Sequence, residues 1–142
     1  MAIQLKATTK ECENLIHTIG EELTPIIQSD PGCGRTSILK GLEKKHGDKY
    51  DYIYVDCPVK DMSDICMTIP RHDNKTLDTY TGSLFKLDSD KPKVILLDEF
   101  MKTNKLCQTI YTRMMLERHV GDTPLPKGSI VFGTSNNQAD GL

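Results

Sequence analysis

The sequence predicts an α/β fold in which a mostly parallel sheet is covered by helices. Short apolar runs alternate along the chain with segments whose apolar residues recur at helical spacing, as in strand-helix-strand units. One run, residues 94–97, is continuously apolar, which is typical of a strand buried on both faces. A glycine-rich loop at residues 29–36 joins a short strand to a helix. Together these observations indicate a doubly wound sheet formed by a single domain, residues 1–142.

The first predicted elements flank the glycine-rich loop. Thr8 and Glu11 match a helix capping box, and a helical face follows at Cys12, Leu15, Ile16, Ile19 and Leu23. Residues 25–28 form a short apolar strand. Residues 35–45 then form a helix whose inward face carries Ile38, Leu39 and Leu42, with Gly47 as a C-cap.

The middle of the chain begins with a strand and then loses its periodic signal. Residues 50–56 alternate and are rich in aromatic and β-branched side chains, which predicts a strand at a sheet edge. From 57 to 92 the pattern weakens to a brief helical patch at 62–67, followed by polar, turn-rich residues. This part is either a long loop or a small insertion.

The last third of the chain contains the strongest strand. Residues 93–100 form an apolar run ending in two acids, and we expect it to be the central strand. Thr103 caps a helix that carries Leu106, Ile110 and Met114, and this helix ends before Gly121. Residues 129–136 form a fourth strand.

Composition excludes several classes of protein. Lys and Arg total 18 against 20 for Asp and Glu, so no basic field indicates nucleic acid as a main partner. The five cysteines are scattered without metal-binding spacing, which supports neither a disulfide framework nor a zinc site. The chain shows no signal-peptide segment and no run approaching about 20 apolar residues. We therefore expect a cytoplasmic protein with no membrane segment.

The glycine-rich loop resembles a phosphate-binding loop with two positions changed. The standard pattern is Gly, four residues, Gly, Lys, then Ser or Thr, whereas this chain has Ser29, four residues, Gly34, Arg35 and Thr36. Backbone N–H groups at such a helix N-terminus bind phosphate, and glycines allow the close approach. The predicted phosphate-binding residues are Asp30, Pro31, Gly32, Cys33, Gly34, Arg35, Thr36 and Ser37. The alternative is a glycine-rich turn that binds no ligand.

Two acids at the end of the central strand support the nucleotide interpretation. Asp98 and Glu99 follow the apolar run at the edge where α/β sheets bind ligands. We predict that Thr36 and Asp98 hold Mg²⁺ and that Glu99 orients or deprotonates an attacking water. The alternative is a solvated strand end with two incidental acids. Arg35 replaces a Lys, and its planar fork is not equivalent to a compact ammonium.

The chain resembles the AAA+ ATPases, and in particular their MoxR-like branch. The resemblance depends on residues 30–37, on Leu96-Leu97-Asp98-Glu99 and on Phe132-Gly133-Thr134-Ser135-Asn136. It implies a P-loop NTPase three-layer sandwich, with ATP and Mg²⁺ as cofactors. It also implies that Asn136 is the sensor residue that contacts the γ-phosphate or the attacking water.

The resemblance also suggests partners. Residues 67–87 look like an insertion that faces the central pore of related hexamers and touches the client, although a plain surface loop is an equal alternative. Arg113 and Arg118 are predicted on the helix after the acids, where surface solvation is favoured over reaching a neighbouring subunit's phosphate. The partners implied are a second copy, another AAA+ protein or a client protein.

A complete AAA+ module continues past the sensor to an arginine finger, a fifth strand and a helical lid. The chain ends at Leu142, so we expect a core that is incomplete at its C-terminal end, with strand 25–28 as an open edge. The first hypothesis is ATP hydrolysis coupled to remodelling of a macromolecular client. The alternative is a short, hydrolysis-defective relative that binds or regulates a partner; a fragment of a longer protein is a third. Missing contacts predict weak nucleotide affinity and little turnover.

Overall fold

The computed structural model describes residues 7–29 and 34–136. The helices are α1 (Thr9–Ile19), α2 (Arg35–His46), α3 (Met62–Ile65) and α4 (Lys105–Glu117). The strands are β1 (Ile26–Ser29), β2 (Asp51–Asp56), β3 (Cys66–Arg71), β4 (Thr76–Thr81), β5 (Lys93–Asp98), β6 (His119–Val120), β7 (Thr123–Pro124) and β8 (Ile130–Asn136).

The main sheet has four parallel strands in the order β1-β8-β5-β2. Strand β5 pairs with β8 on one side and with β2 on the other, which confirms that the apolar run forms an interior strand. Strand β2 forms one edge of the described sheet, as its alternating pattern predicted, and β1 forms the other. All four strands run in the same direction, so their carboxyl ends meet at one edge of the sheet.

Helices cover both faces of this sheet. On β5, the buried Val94 and Leu96 belong to the apolar cluster that contains Ile16 of α1 and Leu42 of α2. Their neighbours Ile95 and Leu97 belong to the cluster on the opposite face, which contains residues of α4. Successive side chains of a strand point to opposite faces, so a continuously apolar strand fits between two helical layers. The predicted three-layer α/β sandwich is confirmed.

Helix α1 begins as predicted and ends earlier. The Thr8 hydroxyl accepts from the Glu11 N–H at 3.2 Å, and the Glu11 carboxylate accepts from the Thr8 N–H at 3.1 Å, which is a capping box. The helix stops at Ile19, so Leu23 lies beyond it and is 61% exposed. The prediction that Leu23 lies on the helix was wrong, because the helix ends at its C-cap, Gly20.

The N-cap of helix α4 lies one residue later than predicted. Asn104, rather than Thr103, is the N-cap, and its side chain accepts from the Cys107 N–H at 2.9 Å. The buried face consists of Cys107, Tyr111, Met114 and Met115, whereas Leu106 is 55% exposed. Of the three apolar residues named for this helix, Met114 is buried and Ile110 packs against the same core, whereas Leu106 lies on the exposed side.

The segment with weak periodicity contains a small antiparallel sheet. Strands β3 and β4 pair from Cys66 opposite Thr81 to Arg71 opposite Thr76. The predicted helical patch is shortened to α3, which ends at Ile65. The insertion interpretation fits this hairpin better than an irregular loop. A second hairpin, formed by β6 and β7 with two residues in each strand, follows α4.

None of the helices in residues 7–29 and 34–136 combines the length and apolar composition that a membrane crossing requires.

Candidate functional site

The carboxyl end of the sheet brings together three separate parts of the sequence. Asp98 is the last residue of β5, and Leu97 pairs with Gly133 of β8, so Thr134 lies beside Asp98. Helix α2 begins at Arg35. The first turn of that helix therefore faces the two acids and the end of β8, as expected for a ligand site in an α/β sheet.

The chain enters helix α2 through a left-handed glycine. Gly34 has φ +76° and ψ +35° and is the N-cap of the helix, a conformation that favours glycine because it has no Cβ. Its carbonyl accepts from the Ser37 N–H at 3.0 Å and from the Ser37 hydroxyl. This turn points Arg35 inward at the start of the helix.

Arg35 forms ion pairs with both predicted acids. Its Nη1 lies 3.5 Å from Asp98 Oδ1, and its Nη2 lies 3.6 Å from Glu99 Oε1. The Arg35 side chain is only 9% exposed. A planar guanidinium presents several N–H groups in a fixed fork, so one side chain bridges the two carboxylates. The Glu99 carboxylate also lies 3.3 Å from Lys102 Nζ.

The buried Thr134 hydroxyl connects these groups. It donates to Asp98 Oδ1 at 2.5 Å and accepts from Arg35 Nη1 at 3.1 Å. It also accepts from the Glu99 backbone N–H at 3.0 Å. A threonine hydroxyl has one proton and two acceptor lone pairs, so all of its hydrogen-bonding capacity is used within the site.

The turn after β5 explains where Glu99 points. Glu99 has φ +54° and ψ +46°, a left-handed conformation that costs a non-glycine residue about 1–2 kcal/mol. Phe100 follows it and is buried against Gly133, where an added Cβ would lie 3.1 Å from the ring. The packing of Phe100 over Gly133, together with the hydrogen bond from the Glu99 N–H to Thr134, holds the carboxylate toward Arg35.

Tyr54 completes the surroundings of Asp98. Its hydroxyl donates to Asp98 Oδ2 at 2.7 Å. Burial raises the pKa of the Tyr54 phenol above its ordinary value, and the hydrogen bond to Asp98 raises it further. The phenol therefore stays protonated and acts as a donor at every physiological pH.

The structure describes only some of the other predicted site residues. Asp30, Pro31, Gly32 and Cys33 lie outside the described residues. Thr36 and Ser37 are exposed in the first turn of α2. Asn136 continues β8 opposite Ser29, and its side chain lies outside the description. The roles assigned to all of these residues remain predictions.

The two arginines considered for a neighbouring subunit have partners within the chain. Arg113 lies 3.0 Å from Glu117 and 3.7 Å from Asp122. Arg118 donates to the Leu23 carbonyl at 2.8 Å and is half-buried. For Arg118, the expectation of a solvated surface side chain was wrong, because its guanidinium packs on the loop before β1.

Sequence reasoning missed Thr134, Tyr54 and Lys102 as members of this site. Thr134 lay within a recognised motif, but its role depends on the pairing of β8 with β5. Tyr54 is 44 residues from Asp98 in the chain, and only the strand register brings them together. For Lys102 the available signal was its spacing of three residues from Glu99.

The donor set at this site does not fit a divalent cation in the arrangement found. Among the described residues, no cluster of three or more His, Cys, Asp or Glu side chains could hold a metal ion. Magnesium prefers several oxygen ligands with free lone pairs, but the Asp98 and Glu99 carboxylates already accept from hydroxyl and cationic groups. Thr36 is exposed in the first turn of α2, and the assignment of Thr36 and Asp98 as magnesium ligands remains a prediction.

No protein-family model and no curated protein matches this chain. Its fold is similar to the crystal structure of a protein from Cytophaga hutchinsonii called a "putative ATPase", with a TM-score of 0.55 and 23% sequence identity. The match covers 89% of this chain and 38% of that one, so the chain spans well under half of the neighbour's length. At this identity the similarity establishes the fold and nothing beyond the fold.

Proposed function

We propose that this chain binds ATP at the carboxyl end of its sheet. The observation that carries the proposal is the convergence of Arg35, Asp98 and Thr134, which come from three motifs far apart in the sequence. Packing of the fold alone would not require Arg35, the first residue of α2, to face the two acids at the end of β5. Such an arrangement fits the crevice in which α/β sheets bind nucleotides.

Three features of the described site favour an anionic ligand. The first turn of α2 presents backbone N–H groups and the positive end of the helix dipole. Gly34 allows a ligand to approach the backbone closely. Arg35 contributes a guanidinium that matches phosphate geometry. Residues 30–33, which precede this turn in the sequence, are proposed to supply the remaining phosphate contacts.

The finer proposal is ATP hydrolysis by an AAA+ protein of the MoxR-like type, coupled to remodelling of a macromolecular client. In this proposal Glu99 orients the attacking water and Asn136 senses the terminal phosphate. The ATPase-like fold and the order of the three motifs support it. Assembly with further copies or with another AAA+ protein would complete the site.

A second candidate is a nucleotide-binding module that does not hydrolyse ATP and acts by associating with a partner. The ion pairs of Arg35 with Asp98 and Glu99 favour this candidate, because they engage the carboxylate that would act on water. A general base must reach the proton that it abstracts. The Glu99 oxygen that contacts Arg35 and Lys102 can do so only if those contacts are released.

Calorimetric titration of the purified chain with ATP, ADP and AMP tests nucleotide binding. We expect binding to weaken as phosphates are removed, and Arg35→Ala to weaken ATP binding by about tenfold or more. Arg113→Ala is the matched control, because Arg113 is an exposed arginine of α4. Equal affinity of wild type and Arg35→Ala, or no binding of ATP by the wild type, would contradict the proposal.

A turnover assay separates the two candidates. Phosphate release from ATP is compared for wild type, Arg35→Lys and Glu99→Gln, with ATP binding measured in parallel. Turnover that is lost in Glu99→Gln while ATP still binds supports the enzyme. Binding without turnover in all three proteins supports the module.

A further inference from the structure

The charges around Asp98 and Glu99 are balanced by the protein itself. The two carboxylates carry two negative charges, and Arg35 and Lys102 supply two positive charges within 3.6 Å. A divalent cation added between these acids would leave an excess of positive charge in a partly buried site. Burying unpaired charge is unfavourable, so the cluster already has the counter-ions it needs.

Both oxygens of Asp98 and one oxygen of Glu99 are also engaged individually. Asp98 Oδ1 accepts from the Thr134 hydroxyl and lies next to Arg35 Nη1, while Oδ2 accepts from the Tyr54 hydroxyl. Glu99 Oε1 lies between Arg35 Nη2 and Lys102 Nζ. A metal ion would have to compete with these donors for the lone pairs that it needs as ligands.

Arg35 is well held in this position. Its side chain is largely buried, and Nη1 has a second acceptor in Thr134, whose own donor bond is to the same Asp98 oxygen. The guanidinium therefore spans both acids with a defined orientation. A lysine at this position would be a single point charge and could not bridge them in the same way.

We propose that Arg35 takes the place of a divalent cation between Asp98 and Glu99, with Thr134 as its positioning residue, so that this site binds nucleotide in the metal-free form. The part that concerns nucleotide depends on the function proposed above; the part that concerns the metal does not. The disagreement between the predicted Mg²⁺ site and the observed donor set is thereby explained by the replacement of Lys by Arg.

Titration of ATP in Mg²⁺ and in EDTA tests the first part, using wild type, Arg35→Met and the control Arg113→Met. The wild-type dissociation constant should differ by less than about threefold between the two buffers. ATP binding by Arg35→Met should depend on Mg²⁺ by about tenfold or more, because its acids are no longer neutralised. Tightening of wild-type ATP binding by about tenfold on adding Mg²⁺ would overturn the proposal.

Binding of Mn²⁺ to the nucleotide-free protein, followed by the loss of the free-ion electron paramagnetic resonance signal, tests the second part. Arg35→Met should bind Mn²⁺ about tenfold more tightly than wild type, and equal affinities would overturn the proposal. If the wild type binds no ATP in either buffer, nucleotide binding fails as a function, and the Mn²⁺ comparison still decides whether Arg35 replaces a cation.

The role of Thr134 is tested by one variant that removes the hydroxyl and one that keeps it. Thr134→Val removes the donor to Asp98 and the acceptor for Arg35, whereas Thr134→Ser keeps both. We expect Thr134→Val to bind Mn²⁺ about threefold more tightly than wild type, and Thr134→Ser to behave as wild type. A residue that contributed only to stability would leave Mn²⁺ binding unchanged in both variants, and that result would contradict the positioning role.

Discussion

The two ends of strand β5 both carry charged clusters, and the clusters differ in construction. At the amino end, the fully buried Lys93 donates to Asp51 Oδ2 at 2.7 Å and to the Ser89 carbonyl at 3.3 Å. At the carboxyl end, Arg35 is shared between Asp98 and Glu99 at 3.5 and 3.6 Å. Lys93 has a single, close acidic partner, whereas Arg35 contacts two acids at longer distances.

The difference separates a structural ion pair from a candidate ligand site. Lys93 and Asp51 lie opposite each other in the register of β5 and β2. They are at the end of β5 opposite to Asp98, which contacts the first residue of α2. The contacts of Arg35 join α2, β5 and β8. Because a shared, longer ion pair loses less when one contact is exchanged for a ligand, the carboxyl end is the one suited to binding.

The largest expected effect is at the amino end. Lys93→Met removes the cation while keeping most of the side-chain volume, and it leaves Asp51 without its partner. We expect the free energy of unfolding to fall by about 3 kcal/mol, as for other broken buried pairs, with no change in ATP affinity. Urea denaturation measures the loss, and Lys105→Met is the control because Lys105 is exposed. A loss equal to that of the control would remove the distinction between the two ends.

The next effect is at the carboxyl end. Thr134→Val leaves the Glu99 N–H without its acceptor and removes one donor from Asp98 Oδ1, so we expect a loss of about 2 kcal/mol of stability. Unlike Lys93→Met, this change should also weaken ATP binding, since Arg35 loses its second acceptor. Urea denaturation and calorimetry measure the two effects. Thr134→Ser should keep both properties, and a Thr134→Val protein with wild-type ATP affinity would show that the hydroxyl is only structural.

A smaller effect is expected for the outer contact of Asp98. Tyr54→Phe removes the hydroxyl that donates to Oδ2, and because Tyr54 is partly exposed, water can replace this donor. We expect a stability loss of about 1 kcal/mol or less, together with a modest gain in Mn²⁺ affinity of the nucleotide-free protein. Tyr52→Phe is the matched control, since the Tyr52 hydroxyl contacts backbone carbonyls away from the site. A large loss of stability would make Tyr54 a structural residue.

Much of the fold could be predicted from the sequence, for a physical reason. The central strand was recognisable because residues buried between two helical layers must be apolar on both faces, as Val94, Ile95, Leu96 and Leu97 are. The hairpin of β3 and β4 was missed because it packs little of its surface, so that exposed residues such as Met67 and Leu77 produce no periodic signal. The N-cap of α4 was misassigned by one residue because Thr103 and Asn104 are adjacent and both residue types cap helices.

The site was predictable only in part. Asp98, Glu99 and Arg35 were found because their motifs are contiguous in sequence, but the sequence motif predicted a metal between Thr36 and Asp98. The structure instead brings Arg35 to those acids. Thr134 is 36 residues from Asp98, and its hydrogen bonds depend on the register of two parallel strands. Local patterns do not determine that register, which is set by packing on both faces of the sheet.

The smallest expected effect is on the pH dependence of stability, and it concerns the Lys93–Asp51 pair at the amino end of β5. The hydrogen bond from Lys93 lowers the pKa of Asp51 below its ordinary value of 3.8. The stability that this ion pair contributes is therefore fully present above that pH and is lost as pH falls through the lower pKa of the folded state. Asp51→Asn should flatten the decline in stability between about pH 5 and pH 2, measured by urea denaturation at each pH.

The control for this prediction is Asp90→Asn, because Asp90 is an exposed carboxylate three residues before Lys93. It should keep the wild-type slope. The comparison uses slopes rather than absolute stabilities, since Asp51→Asn also leaves the buried Lys93 ammonium with a weaker, neutral acceptor. If Asp51→Asn kept the wild-type slope, the acid sensitivity of the protein would have to come from other carboxylates. The amino-end pair would then make no measurable contribution to the acid sensitivity of the protein.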